Sequence, residues 1–116
     1  MNKTVCFFIS LLFESFSLAF SQPVNIVYDK ASPQAKYAAE IVTKALIPKG
    51  YTVSKEKTGI VIHLSSNNKQ LKEESYAIAK DGRKITVTGG DNRGMIYGSL
   101  SLAEEVRNGS RLEVIK

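Results

Sequence analysis

The sequence predicts an α+β domain in which a mixed β-sheet carries two helices on one face. Two segments with apolar residues at helical spacing, 33–46 and 92–107, alternate with short runs of strand-forming residues. An Asp-Gly pair at 81–82 indicates a β-hairpin between them, because short hairpin turns require residues that accept positive φ. This order of elements is typical of a two-layer sandwich with one core.

Residues 1–21 have the layout of a secretory signal peptide. A lysine gives a positive start, "VCFFISLLF" is apolar but too short to span a bilayer, and "AFS" is a small-x-small cleavage site before Gln22. We therefore expect a signal peptide at 1–21 and one folded domain at 22–116, exported to the periplasm or secreted, with no membrane contact after signal removal. The single cysteine, Cys6, would leave with the signal, so no disulfide is expected.

The net charge of +5 comes from basic residues spread along the whole chain. Nucleic-acid binding favours basic residues gathered on one face with aromatic residues between them. The charge is therefore interpreted as a solvated surface, and no nucleic-acid partner is expected.

The first strand is predicted at 24–28 and leads into a capped helix. Ser32 suits the N-cap position and Pro33 the first helical position. Pro48 and Gly50 end the helix, because the residue before proline disfavours helical geometry and glycine permits the turn. The apolar stripe consists of Ala35, Ala38, Ala39, Val42, Ala45 and Leu46.

Two further strands are predicted after this helix. The segment 51–57 is polar enough for a short edge strand, and 59–66 is a stronger strand candidate. Alternation places Ile60, Ile62 and Leu64 on one face and Val61, His63 and Ser65 on the other.

The segment 75–89 predicts the hairpin. Closing the turn on Asp81 and Gly82 pairs Lys80 with Arg83, Ile78 with Ile85, and Tyr76 with Val87. The large apolar side chains then share one face, and a slip of one residue would expose them. Ala77 and Ala79 fall on the opposite face with Val61. If both helices cover the large-residue face, this small-residue face has no cover from this chain and is available to a partner.

The second helix is expected to begin at Asp91 or Asn92, either of which can act as N-cap, and to run to about Arg107. Gly109 in "NGS" suits a left-handed residue that ends the helix, which accounts for the glycosylation-like sequon at 108–110. Its predicted stripe consists of Met95, Ile96, Ser99, Leu100, Leu102, Ala103 and Val106. The segment 111–115 predicts a last strand.

No residues with the spacing of a catalytic or metal site are found. His63 is the only histidine, and a metal site needs a second strong ligand nearby. The carboxylate pairs at 73–74 and 104–105 are sequence neighbours that point in different directions, unlike the two acids of a glycosidase. No cofactor, metal ligand or catalytic residue is assigned.

The stretch "GGDNRGMIYG" at 89–98 fits close packing better than phosphate binding. It lacks the lysine and hydroxyl of a Walker loop, and Asp91 would repel an anion. Gly94 and Gly98 are four residues apart on one helical face, where missing side chains let backbones approach. Arg93 in the first turn opposes the helix dipole, so a partner such as Asp91 or a carboxylate on another domain is expected.

The stretch 74–107 resembles the N-terminal accessory domain of bacterial hexosaminidases and α-glucuronidases. In that group, E-x-Y-x-I and I-x-I-x-G strands lead into a G-x-D-x-R-G-x-x-Y-G turn and a helix of the type L-x-E-x-I. The matching residues are Glu74, Tyr76, Ile78, Ile85, Val87, Gly89, Asp91, Arg93, Gly94, Tyr97, Gly98, Leu102 and Glu105. Over 24–66 the resemblance is one of element order alone.

The resemblance implies a β-hexosaminidase domain-2-like fold with zincin-like topology, and catalysis in a (β/α)8 barrel elsewhere. The sequence ends at Lys116 without a barrel, so the expected role is a truncated, non-catalytic accessory domain of an exported glycoside hydrolase. Its expected partners are the barrel, in cis or in trans, and carbohydrate. The residues expected to contact the barrel are Gly89, Gly90, Asp91, Arg93, Gly94, Tyr97 and Gly98.

A stand-alone exported module that binds carbohydrate or protein is the alternative. Sugar recognition favours aromatic platforms, for which Tyr28, Tyr37 and Tyr51 are the available candidates. A small independent enzyme has no supporting set of residues.

Overall fold

The computed structural model describes residues 22–55 and 59–114. The predicted signal peptide, with Cys6, lies outside the described residues, as does part of the predicted edge segment 51–57. The strands are β1 (Gln22–Val27), β2 (Tyr51–Val53), β3 (Ile60–Ser65), β4 (Tyr76–Asp81) and β5 (Lys84–Gly89). The α-helices are α1 (Pro33–Leu46) and α2 (Asn92–Arg107), and short 3-10 turns occupy Ile47–Lys49 and Leu112–Val114.

The strands form a mixed sheet in the order β2-β1-β3-β5-β4. The pairs β2-β1, β1-β3 and β3-β5 are parallel, and the edge strand β4 pairs antiparallel with β5. Both helices pack against each other, and their buried stripes face the apolar face of this sheet. The predicted α+β class, with two helices on one face of a mixed sheet, is confirmed.

The core lies between the sheet and the helices. The predicted alternation of β3 is confirmed, because Ile60, Ile62 and Leu64 are buried whereas the intervening residues are partly exposed. The largest fully buried side chains are Leu46, Ile62, Ile85, Met95, Leu102 and Leu112. Within the described ranges, neither helix is long and apolar enough to cross a membrane.

Helix α1 begins as its sequence predicts. The Ser32 Oγ accepts a hydrogen bond from the Ala35 N–H at 3.2 Å, and Pro33 is the first helical residue. All six residues of the predicted stripe are buried. Four of them are alanines, whose small side chains permit a close approach to the layer that the helix covers.

The hairpin has the predicted faces but not the predicted register. Lys80 pairs with Ile85 and Ile78 with Val87, which is a slide of two residues relative to the expected pairing. The two turn residues are Gly82 and Arg83, and Gly82 has a φ of 60° whereas Arg83 has no positive φ. A turn with glycine at its first central position needs only one left-handed residue, so it avoids forcing an aspartate into that conformation.

The second helix also departs from its predicted stripe at one position. Asp91 is the N-cap and Gly109 has a φ of 94°, both as predicted, but Leu100 remains 41% exposed. Gly94 and Gly98, which the predicted stripe did not include, are both buried. The prediction missed this because it assigned burial by apolar character rather than by helical position.

The predicted last strand is wrong, because Leu112–Val114 is a 3-10 turn. Leu112 is fully buried, and its N–H donates to the Tyr51 hydroxyl at 3.3 Å. A single apolar residue between charged neighbours can be buried in a strand or in a 3-10 turn. The local sequence pattern therefore does not distinguish the two conformations.

The opposite face of the sheet carries small and polar side chains. Ala77 and Ala79 are exposed, and Val61 and His63 are partly exposed. Within the described part of the chain, both helices lie on the other face, as the sequence predicts.

Candidate functional site

The glycine-rich turn lies where β5 ends and α2 begins. The loop 66–75 crosses directly over it, and two backbone hydrogen bonds join them. The Gly90 N–H donates to the Ser75 carbonyl at 2.9 Å, and the Asn68 N–H donates to the Gly89 carbonyl at 3.1 Å. The loop 66–75 of the same chain therefore packs directly on this turn.

The glycines of the turn are required by these close approaches. A Cβ atom on Gly94 would overlap the carbonyl oxygen of Ser75, and one on Gly90 would overlap the carbonyl oxygen of Lys72. A Cβ on Gly89 would overlap the backbone of the first turn of α2. Since backbone atoms cannot move aside as a flexible side chain can, each position is restricted to glycine.

Asp91 joins the loop to the helix. Its Oδ1 accepts from the Gly94 N–H at 2.8 Å, which caps α2, and from the Glu74 N–H at 3.1 Å, which anchors the loop. Glu74 has a φ of 64°, a left-handed conformation that a non-glycine residue adopts at a cost. The hydrogen bond from its N–H to Asp91 helps to offset that cost.

Arg93 finds its partners within the chain. Its Nη1 lies 2.9 Å from Glu74 Oε1, and its Nη2 lies 3.6 Å from Asp91 Oδ2. The predicted pairing with Asp91 is present, but the shorter contact is to Glu74. The side chains of Arg93 and Glu74 are 60% and 51% exposed, so water screens this pair and it adds little to stability.

The electrostatics of the turn favour an ionised Asp91. The hydrogen bond from the Gly94 N–H holds the pKa of Asp91 below its ordinary value, and the Glu74 N–H and the Arg93 guanidinium act in the same direction. Partial burial opposes this shift without reversing it. The carboxylate occupies the helix N-terminus, where an added anion would otherwise bind, so phosphate binding is disfavoured.

We predict that replacing Asp91 separates its roles as acceptor and as charge. Asp91→Ala removes both acceptor contacts, and we expect the melting temperature of the chain to fall by about 5 °C or more. Asp91→Asn keeps an oxygen that can cap the helix, so it should lose less than half as much. Thermal unfolding followed by circular dichroism checks this, and equal losses in both variants would contradict the capping role.

The same carboxylate predicts a pH dependence. Because its pKa is lowered by folding, the unfolded state binds more protons in acid, and the contribution of Asp91 to stability is complete above its unfolded pKa of about 3.9. This contribution is lost as the pH falls through the folded pKa. We expect the unfolding free energy of the wild type to drop more steeply below about pH 5 than that of Asp91→Asn. Urea titrations at several pH values measure this, and parallel pH curves would refute the assignment.

The remaining predicted site residues point in opposite directions. A Cβ on Gly98 would lie 2.6 Å from Val87 Cγ1 and 3.1 Å from Tyr76 Cβ, so this glycine faces the hairpin of its own chain. Tyr97 lies on the outer side of α2 and is 44% exposed. Of the predicted residues, Gly89, Gly90, Asp91, Arg93, Gly94 and Gly98 contact other parts of this chain, although the Arg93 side chain remains 60% exposed. Tyr97 extends outward. Their contact with a second domain stays a prediction.

Sequence reasoning missed the role of the loop 66–75. Ser75 and Lys72 supply the carbonyl oxygens against which the glycines pack, and Glu74 pairs with Arg93. A signal for this role in the sequence is the E-x-Y pattern of the resemblance, in which Glu74 stands two residues before Tyr76. The local sequence does not show where the loop crosses.

In the described part of the chain, the predicted carboxylate pairs are exposed or engaged by neighbouring groups. Glu105 Oε2 accepts from the Ser110 hydroxyl at 3.1 Å, and Glu104 is exposed on α2. In residues 22–55 and 59–114, no three potential metal ligands lie together. Of the three predicted aromatic platforms, Tyr37 is 55% exposed, whereas Tyr28 and Tyr51 are half-buried.

Comparison with known proteins finds a similar solved structure and a matching family model. A GH138 enzyme targeting pectin rhamnogalacturonan II has a similar structure, with a TM-score of 0.66 and 26% identity over 81% of this chain. This chain covers 14% of that enzyme, so the similarity concerns a small part of it. No curated protein matches the sequence. The family model for glycosyl hydrolase family 20, domain 2, matches residues 10–114, starting within the predicted signal peptide. This match confirms the resemblance, and the chain belongs to the domain 2 family of glycosyl hydrolase family 20, a non-catalytic domain of glycoside hydrolases.

Proposed function

We propose that this chain is an exported accessory domain that packs against and supports a catalytic (β/α)8 barrel in carbohydrate degradation. The barrel would be of the hexosaminidase or α-glucuronidase type, encoded after residue 116 in a longer form of the chain or supplied by a second chain. Family membership supports an accessory role, and the signal-like segment 1–21 supports export.

The observation that carries the proposal is the inward use of the glycine-rich turn. Its glycines seat the loop 66–75, and its one carboxylate, Asp91, is engaged by two backbone N–H groups and Arg93. Within the described residues, no buried side-chain nitrogen or oxygen atom lacks a partner. Such a turn stabilises the fold, which is the role expected of it in an accessory domain.

The outer face of α2 is the proposed contact with the barrel. Tyr97 and Leu100 are three residues apart, so they lie on one side of the helix, and they are 44% and 41% exposed. Arg93 lies one turn before them on the same side. We call these three residues the outer patch. Covering apolar area of this kind contributes about 25 cal/mol per Å² removed from water, which favours docking.

We predict that the outer patch affects docking without affecting folding. The double variant Tyr97→Ser with Leu100→Ser should change the unfolding free energy of the chain alone by less than about 1 kcal/mol, because both side chains lie on the outer surface. The affinity of the double variant for the barrel should be about tenfold or more weaker than that of the wild type. Val27→Ser is the matched control, since Val27 is equally exposed but lies on β1 and not on α2. Association that is unchanged in the double variant would move the contact elsewhere.

The proposed function is tested by reading the DNA downstream of codon 116 and by expressing the barrel with and without this domain. We expect the chain alone to hydrolyse no aryl glycoside and the barrel to lose thermal stability without it. Turnover by the chain alone, or a barrel of unchanged stability, would overturn the proposal. Glycan binding by the chain with no barrel in the genome would favour the stand-alone binding module.

A further inference from the structure

A groove runs along the side of α1 at the carboxyl ends of β1 and β2. It forms because β2 is short and pairs only with Gln22–Val24, so the second half of β1 has no neighbouring strand on that side in the described chain. Strand β2 ends at Val53, the Ser54 N–H still donates to the Val24 carbonyl at 2.9 Å, and α1 supplies the other wall. The cavity volume is about 700 Å³, which is within the range of small-molecule sites.

Three lysines from separate segments converge on this groove. Lys30 comes from the β1–α1 connection, Lys36 from the first turn of α1, and Lys55 from the chain after β2. Glu40 is the one carboxylate among its lining residues. Among the residues that the structure describes, no carboxylate lies within ion-pair distance of any of the three lysines. The described lining therefore carries three lysines against one carboxylate, an excess of positive charge.

The floor of the groove is suited to a sugar ring. Tyr28 lines it, is half-buried and packs against the core, which limits the motion of its side chain. A fixed aromatic face offers an apolar surface with a polar hydroxyl at its edge. Asn25 lines the groove as well and supplies an amide that can donate and accept hydrogen bonds.

We propose that this groove binds an oligosaccharide that bears anionic groups. The lysines recognise the anionic substituents, and Tyr28 and Asn25 contact the neutral part of the sugar. That the ligand is a carbohydrate rests on the proposed function, whereas its negative charge follows from the groove itself. The groove lies on the opposite flank of the domain from β4, so a ligand there leaves the turn at 89–98 untouched.

The test is calorimetric titration of the full chain with three probes of matched length. These are an oligogalacturonate, a sulfated glucan oligomer and a neutral glucan oligomer. We expect the first or the second to bind, with an affinity that falls as salt is raised, and the neutral oligomer to bind at least about tenfold more weakly. The arm that binds more tightly identifies carboxylate or sulfate as the recognised group.

Two charge-matched variants locate the binding. The groove variant carries Lys30→Gln, Lys36→Gln and Lys55→Gln, and the control carries Lys49→Gln, Lys69→Gln and Lys84→Gln at exposed positions elsewhere. We expect the groove variant to lose affinity by about tenfold or more and the control to stay within about twofold of the wild type. Tyr28→Leu, which keeps an apolar side chain but removes the ring, should weaken the binding of whichever anionic probe binds without abolishing its salt dependence.

The inference would be overturned if neither anionic probe bound, or if the two lysine variants lost affinity equally. Inorganic tripolyphosphate is titrated as a fourth probe that carries negative charge but no sugar. If it bound more tightly than both anionic oligosaccharides, the groove would be an anion site without sugar recognition, which would equally overturn the inference. None of these results touches the support of a barrel, which is measured by barrel stability, so the two proposals fail separately.

Discussion

Gly94→Ala is expected to destabilise the chain by about 3 kcal/mol, although alanine in place of glycine normally stabilises a helix by up to about 1 kcal/mol. The reason is the Ser75 carbonyl oxygen, which lies where the new Cβ would be placed. That carbonyl cannot withdraw freely, because it accepts from the Gly90 N–H and the adjacent Glu74 N–H donates to Asp91. Urea unfolding of the purified chain measures the loss.

Ser101→Ala is the control for this variant, since it also places alanine in α2 at a partly exposed position. It should change the unfolding free energy by no more than about 0.5 kcal/mol. A Gly94→Ala variant as stable as Ser101→Ala would show that the loop 66–75 does not press on the helix.

Gly98→Leu is expected to unfold the domain. Its Cβ alone would lie 2.6 Å from Val87 Cγ1 and 3.1 Å from the Tyr76 ring, and the rest of the leucine side chain would extend further into the hairpin. Gly98→Ala should cost less, about 1–3 kcal/mol, because its closest contacts are side chains that can shift slightly. Circular dichroism and urea unfolding distinguish the two outcomes.

A double variant tests the cause of the Gly98 effect. Val87→Ala removes the Cγ1 atom that would meet the new Cβ, at the cost of a cavity in the core. Gly98→Ala combined with Val87→Ala should therefore lose less stability than the sum of the single variants, by about 0.5 kcal/mol or more. Strict additivity would mean that α2 and β5 do not meet at this point.

These variants also separate packing within the chain from packing against a barrel. Gly94 and Gly98 should affect the chain in isolation, since their close contacts are to its own backbone and side chains. Tyr97 and Leu100 should affect association only. Sequence spacing alone grouped all four in one helix and did not assign them to different faces of contact.

The helix ends were predictable because their signals are local. Ser32 and Pro33 at the start of α1 and Asp91 and Gly109 around α2 act through bonds within a few residues. Leu100 shows the limit of such reasoning. An apolar residue next to a predicted stripe is buried only if a neighbouring element covers it, and here it remains on the surface.

The hairpin register shows a second limit. Pairing through Asp81-Gly82 and pairing through Gly82-Arg83 keep the same side chains on the same faces, so the alternation of apolar residues does not separate them. The choice depends on which residue takes the positive φ, and glycine alone does so at lower cost.

By itself, the sequence determined the α+β class, the two helices with their caps, the faces of the strands and the need for close approach at Gly94 and Gly98. These follow from periodicity and from the conformational limits of single residues. The tertiary structure alone decided that the approach is made by the loop 66–75 and the β4–β5 hairpin, and that Lys30, Lys36 and Lys55 share one groove. Contacts between segments distant in the chain depend on strand order and loop paths, which the local pattern of residues does not contain.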